Sequence, residues 1–148
     1  MKPDLSSIVN DLITGKARLK VEAFTFTAAA GAAIPETEFF ECPKQTLRLI
    51  LNGEITSTKT TGTAFDLSVL DERSLRIATL VYRTIGTDIT CFPIDDGSTK
   101  DPAEINVVAP LFLRTGDKLA IAHALTAAET ISDIVLVRWI EWSGVNVL

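Results

Sequence analysis

The sequence predicts an all-β chain, a sandwich or barrel of short strands preceded by an N-terminal arm. Three observations carry this. About eight or nine stretches rich in β-branched and aromatic residues are separated by turn signals. Period-two alternation recurs, most clearly in "TAFDLSVLD" through Phe65, Leu67 and Val69. Helical periodicity, by contrast, is confined to the first segment.

Composition sets the outer limits. At 148 residues the chain has the size of one ordinary domain, and 47% hydrophobic residues exclude disorder of the whole. A net charge of −5 argues against a nucleic-acid partner, since such proteins concentrate Lys and Arg. No apolar run reaches membrane-spanning length; "SDIVLVRWIEW" is cut by Arg138 and Glu141. The N-terminus lacks the continuous apolar core of a signal peptide, so synthesis in the cytoplasm is expected. Cys42 and Cys91 form no CxxC pair and are expected to be two free, buried thiols, a single disulfide being the alternative.

The elements follow in order. In "PDLSSIVNDLITGKAR", Leu5, Ile8, Val9, Leu12 and Ile13 fall at i, i+3, i+4, i+7 and i+8, one stripe of a short helix. Asp4 is placed to cap its start and Gly15 its end. Residues 1–18 are accordingly assigned as an amphipathic arm, and 19–148 as a single β domain. "LKVEAFTFT" reads as the first strand. "AAAGAAIPETE" follows, and 28–36 is assigned as a small-residue loop or linker. "QTLRLILNGEITSTKT" carries Asn52-Gly53, the pair that a tight hairpin turn favours, and is expected to form two strands about it.

"TAFDLSVLD", "SLRIATLVYRT", "DITCFPI" and "AEINVVAPLFL" are the next strands, with "DDGSTKDP" as a loop between the last two. "RTGD" puts Gly116 and Asp117 in a turn. Over 117–128 large residues alternate with alanines, which suits a strand but leaves a helix open. "IVLVRWIEW" closes the chain, apolar on both faces: Ile134, Leu136, Ile140 and Trp142 on one, Val135, Val137 and Trp139 on the other. Such a strand lies between two layers or against a partner.

Chemistry is sparse. His123 is the only histidine; without a G-x-S-x-G elbow, a nucleophilic cysteine motif or neighbouring metal ligands, it is read as a hydrogen-bonded structural residue. Asp95, Asp96 and Asp101 gather in one loop but lack the spacing of a calcium loop, and are read as a solvated turn. Glu36, Glu38 and Glu41 have no opposing acidic cluster in view. Phosphate-cradle motifs are missing. No catalytic residue, metal site or cofactor is therefore expected. Phe39, Phe40 and Trp142 are the candidate exposed or interface aromatics.

The stretch from Ala109 to Trp142 runs strand, Gly-Asp turn, strand of large and small residues, loop, Trp-bearing strand. With the arm and the chain length, it resembles the jelly-roll decoration (cement) proteins of tailed-phage heads. That resemblance implies a jelly-roll sandwich and a non-enzymatic protein. It implies a homo-oligomer, dimer or trimer, that binds major capsid protein on the outer surface of the virion after assembly in the host cytoplasm. Tumour-necrosis-factor-like trimers end in a similar strand order, and no family residue can be carried over. On this reading Leu5, Ile8, Val9, Leu12 and Ile13 are the arm's partner-binding face. A carbohydrate- or receptor-binding sandwich is the second reading, resting on the aromatics.

Overall fold

The computed structural model describes residues 4–60, 62–92, 111–124 and 130–144. Among the described residues, one helix, α1 (Leu5–Thr14), precedes nine strands. These are β1 (Ala17–Ala28), β2 (Ile34–Phe39), β3 (Thr46–Ser57), β4 (Ala64–Leu70), β5 (Arg76–Thr84), β6 (Thr90–Phe92), β7 (Leu111–Leu113), β8 (Lys118–His123) and β9 (Ile131–Ser143). "DDGSTKDP", with Asp95, Asp96 and Asp101, lies outside the described residues, as do most of "AEINVVAPLFL" and residues 125–129.

Helix α1 forms where its caps allow it. The Asp4 carboxylate accepts a hydrogen bond from the Ser7 amide at 2.8 Å, satisfying one orphan donor of the first turn. Gly15 ends the helix at φ 79°, a left-handed conformation that glycine adopts without Cβ strain.

The strands nest. β1 pairs with β9, β2 with β8, β3 with both β6 and β7, and β4 with β5, all antiparallel. Successive nested pairs alternate between two sheets, β1-β9-β3-β6 (with β7 also on β3) and β2-β8-β4-β5. A two-stranded ribbon wrapped in this way is a jelly roll. Its core is the space between the sheets, filled by Ile55, Phe65, Leu67, Phe92, Leu119 and Val135 among others.

The β4–β5 connection is built by one carboxylate. Asp71 Oδ1 accepts from the amides of Arg73 and Leu75, at 2.8 and 2.9 Å. The residues 117–128 resolve as strand over Lys118–His123, with Leu119, Ile121 and His123 buried on the inner face. Alanine richness did not make a helix, because β8 is flanked by β2 and β4 and each alternate residue fills the core.

Three expectations are corrected. Asn52-Gly53 makes no hairpin: both lie inside β3, which runs unbroken past them with a register shift against β9 between Ile50 and Asn52. The glycine is there for close packing. A Cβ on Gly53 would overlap the Phe92 ring and the Leu136 carbonyl. The small-residue stretch is shorter than 28–36, since Ala28 ends β1 and Ile34 already begins β2. Pro35 is tolerated in β2 because that strand is a sheet edge. Of the two free cysteines, Cys42 is buried but Cys91 is exposed, on the outer side of β6.

The Gly53→Ala variant is expected to lose about 1–3 kcal/mol of stability through overpacking against Phe92, read as a lower urea midpoint.

Candidate functional site

The alternation of β9 creates two different environments. Its inner row, Ile131, Asp133, Val135, Val137, Trp139 and Glu141, faces the second sheet, and all six residues are buried. Two of them are acids, and each has been given partners.

Asp133 meets His123. Its Oδ2 lies 2.6 Å from His123 Nδ1, tying β9 of one sheet to β8 of the other, and both side chains are fully buried. Phe65 packs edge-on to the imidazole, with ring centroids 5.6 Å apart. Ser57 stands directly opposite Asp133 on β3. These are the residue types of a hydrolytic triad, but the group is enclosed in the core and the serine is registered against the aspartate. Its geometry is that of a strut between sheets.

Glu141 sits at the other end of the same row, at the mouth of the sandwich. It accepts hydrogen bonds from Lys20 Nζ at 2.5 Å, Arg48 Nε at 2.8 Å and Trp139 Nε1 at 3.3 Å. The Arg48 guanidinium lies 4.3 Å from the centroid of the Phe40 ring, and Phe40 meets Trp139 edge-on at 4.6 Å. Phe40 reaches this stack by leaving the strand at φ 57°, a conformation disfavoured for an aromatic residue. Burial pushes the Glu141 carboxyl up, but the hydrogen bonds from Lys20, Arg48 and Trp139 outweigh it and hold the carboxyl below its ordinary value. Nearby Cys42 is pushed up to about 11, mainly by burial, with Arg48 opposing.

The outer row of β9 faces away from the core. At one end Ile140 and Trp142 join Ala17, Leu47 and Leu49 in a second apolar cluster, on which Ile8 and Phe112 pack. Trp142 Nε1 donates to Asp11 Oδ2 at 2.8 Å, fixing α1 over this end of the sheet. Helix α1 contributes Ile8 and Asp11 to that contact and no fully buried residue. The rest of its apolar stripe is open to differing degrees: Leu5 is 77% and Ile13 79% exposed, Val9 47% and Leu12 36%. On the same outer side, Leu19 and Val21 of β1 are also exposed.

The sequence candidates therefore separate. Leu5, Val9, Leu12 and Ile13 form an open apolar face, while Ile8 is spent on the sheet. Phe39 is half-buried, edge-on to Phe24 and Phe26. Phe40 and Trp142 are buried, Trp142 at 5% exposure under α1, so these two candidates are not exposed aromatics. The Lys20–Glu141–Arg48 cluster was missed, although an acid in an apolar period-two row signals a buried partner. Among the described residues, no group of three or more His, Cys, Asp or Glu side chains is placed to hold a metal ion.

Comparison with known proteins adds little. No family model and no curated protein matches the sequence. A solved structure of Bacillus endospore appendages, described as a family of disulfide-linked pili, is similar at 16% identity and a TM-score of 0.43, covering 86% of this chain and 88% of that one. At that level the likeness assigns no role.

Two outcomes follow from the mouth cluster. A carboxyl held low stabilises the fold above its ordinary value of 4.5, and that stability is lost as pH falls through the lower folded value. The Glu141→Gln variant should be about 1–3 kcal/mol less stable at neutral pH, and should lose less further stability on acidification than the parent, in urea titrations across that window. Cys91 should react with a thiol reagent in the folded protein, whereas Cys42 should react only after denaturation, measured by thiol titration with and without denaturant.

Proposed function

We propose that this chain is a non-enzymatic structural protein, a capsid decoration protein that assembles as a homo-oligomer and clamps the outer surface of a viral shell. One observation carries the reading. A well-capped amphipathic helix is attached to a sandwich that is already closed, with most of its apolar stripe facing outward. A ten-residue helix is marginal in water, and its docking rests on Ile8 and the Asp11–Trp142 hydrogen bond, with no residue fully buried. Leu5, Val9, Leu12 and Ile13 gain their burial when laid into an apolar groove of a neighbouring major capsid subunit. Several such helices on one oligomer give avidity from individually modest contacts. The exposed glycan platform that the second reading requires is not formed by Phe40 or Trp142, which removes its main support.

The test uses the full chain and a variant lacking residues 1–14, incubated with head shells assembled from the major capsid protein of the same virus. The full chain should cosediment with the shells and raise their temperature of heat dissociation. The shortened chain should keep its β circular dichroism and bind at least ~10-fold more weakly, because it loses several buried apolar side chains at about 1.5–3 kcal/mol each. Equal binding by both chains, or cosedimentation by neither, would overturn the proposal.

A further inference from the structure

β1 is twelve residues long and stands at the edge of its sheet. One side is paired with β9 along its whole length; the other has no backbone partner among the described residues. A long, regular edge of this kind is a template for another strand, and proteins that must avoid such pairing shorten, bulge or cover it. Among the described residues this edge is neither short nor bulged, and the device it does carry, charge at Arg18, Lys20 and Glu22, is of both signs and so admits a partner of matching pattern. The residues 18–23 are six consecutive exposed positions, and the register against β9 is unbroken.

The side chains say which strand fits. Alternation places Leu19, Val21 and Ala23 on the outer side and Arg18, Lys20 and Glu22 on the inner side. Leu19 is 66% and Val21 62% exposed. Two copies of β1 brought together antiparallel about a two-fold axis through Val21 would set Lys20 opposite Glu22 of the second copy, and Glu22 opposite its Lys20. Leu19 would face Ala23, Val21 would face Val21, and Arg18 would face the ring of Phe24. Shifting the axis to residue 20 sets Lys20 against Lys20; shifting it to residue 22 sets Glu22 against Glu22. The register at Val21 joins two opposite-charge pairs with no like-charge pair, and cross-strand pairs are where sheets discriminate register. Glu22 is exposed and has no side-chain partner among the described residues. Lys20, although bonded to Glu141, keeps donors to spare on its half-exposed ammonium.

We infer that β1 is a self-pairing edge, and that a second copy of this chain adds to it antiparallel about Val21 to make one continuous sheet across a two-fold axis. The inference deepens the homo-oligomer of the proposed function by naming its interface, and requires no capsid. The axis stands perpendicular to the sheet, so both α1 helices lie on the same outer side. A two-fold dimer thereby presents two open apolar stripes to one surface.

Solution mass and a cross-linking scan test it. The full chain should show a concentration-dependent dimer by analytical ultracentrifugation. The Glu22→Lys variant should keep its circular dichroism and weaken dimerisation by ~10-fold or more, since both opposite-charge pairs become like-charge pairs. In a Cys91→Ser background, Val21→Cys should give a covalent dimer on mild oxidation, because residues directly opposed across antiparallel strands fall within disulfide reach. Leu19→Cys alone should not, its copies being four residues apart along the paired strands, whereas Leu19→Cys mixed with Ala23→Cys should. A dimer indifferent to Glu22→Lys and without the position-21 cross-link overturns the interface while leaving the oligomer. A monomer even at roughly millimolar concentration overturns both.

Discussion

Everything in this molecule hangs on β9 being paired along both of its edges. β1 joins one edge from Ala17 to Ala28, and β3 joins the other from Thr46 to Ser57. Among the described residues β9 is thus held between β1 and β3, and the jelly roll cannot close until these sequence-distant strands meet. That pairing is long-range in sequence, which makes it slow to form and costly in loop closure, and cooperative once formed. It also dictates chemistry. The inner row of β9 lies in the core, so any acid on it must bring its own partners.

The two acids on that row do different work at its two ends. Asp133 reaches across the core to His123 and fixes the separation of the sheets. Glu141 gathers Lys20, Arg48 and the Trp139 indole at the mouth, where Arg48 lies over Phe40. Charged groups enclosed without partners would cost several kcal/mol, so these contacts are conditions for burial more than sources of surplus stability. The outer row of β9 is apolar for another reason. Ile140 and Trp142 need a cover, α1 supplies part of one, and the helix is left with an apolar stripe that the sandwich does not use.

Much of this was legible in the sequence. The stripe from Leu5 to Ile13 with Asp4 and Gly15 at its ends marked the helix, and the period-two alternation of β9 marked a strand, of which the inner row meets the second sheet and the outer row is covered only at Ile140 and Trp142. Local signals failed where a distant contact decided the outcome. Asn52-Gly53 has the chemistry of a turn, but Phe92 lies against Gly53 and β9 runs alongside, so the strand continues. Trp142 near the chain's end looked like a surface aromatic, because nothing local shows that α1, more than a hundred residues earlier, covers it; Asp11 and Trp142 are 131 positions apart. Cys91 was expected to be buried because free cysteines usually are, yet period two puts Phe92 inside and Cys91 outside. Exposure of a helical stripe is likewise invisible to periodicity, which reports a face and not what meets it.

The two sheets pair and enclose their core without α1, which covers part of the outer face through Ile8 and Asp11 only. Backbone hydrogen exchange of the full chain, resolved by peptide, tests this most directly. The amides of α1 should exchange within ~100-fold of an unstructured peptide, while those of β9 are protected at least ~1,000-fold more strongly, near the limit set by global unfolding. Protection of α1 equal to that of β9 would contradict it, making the helix part of the cooperative core.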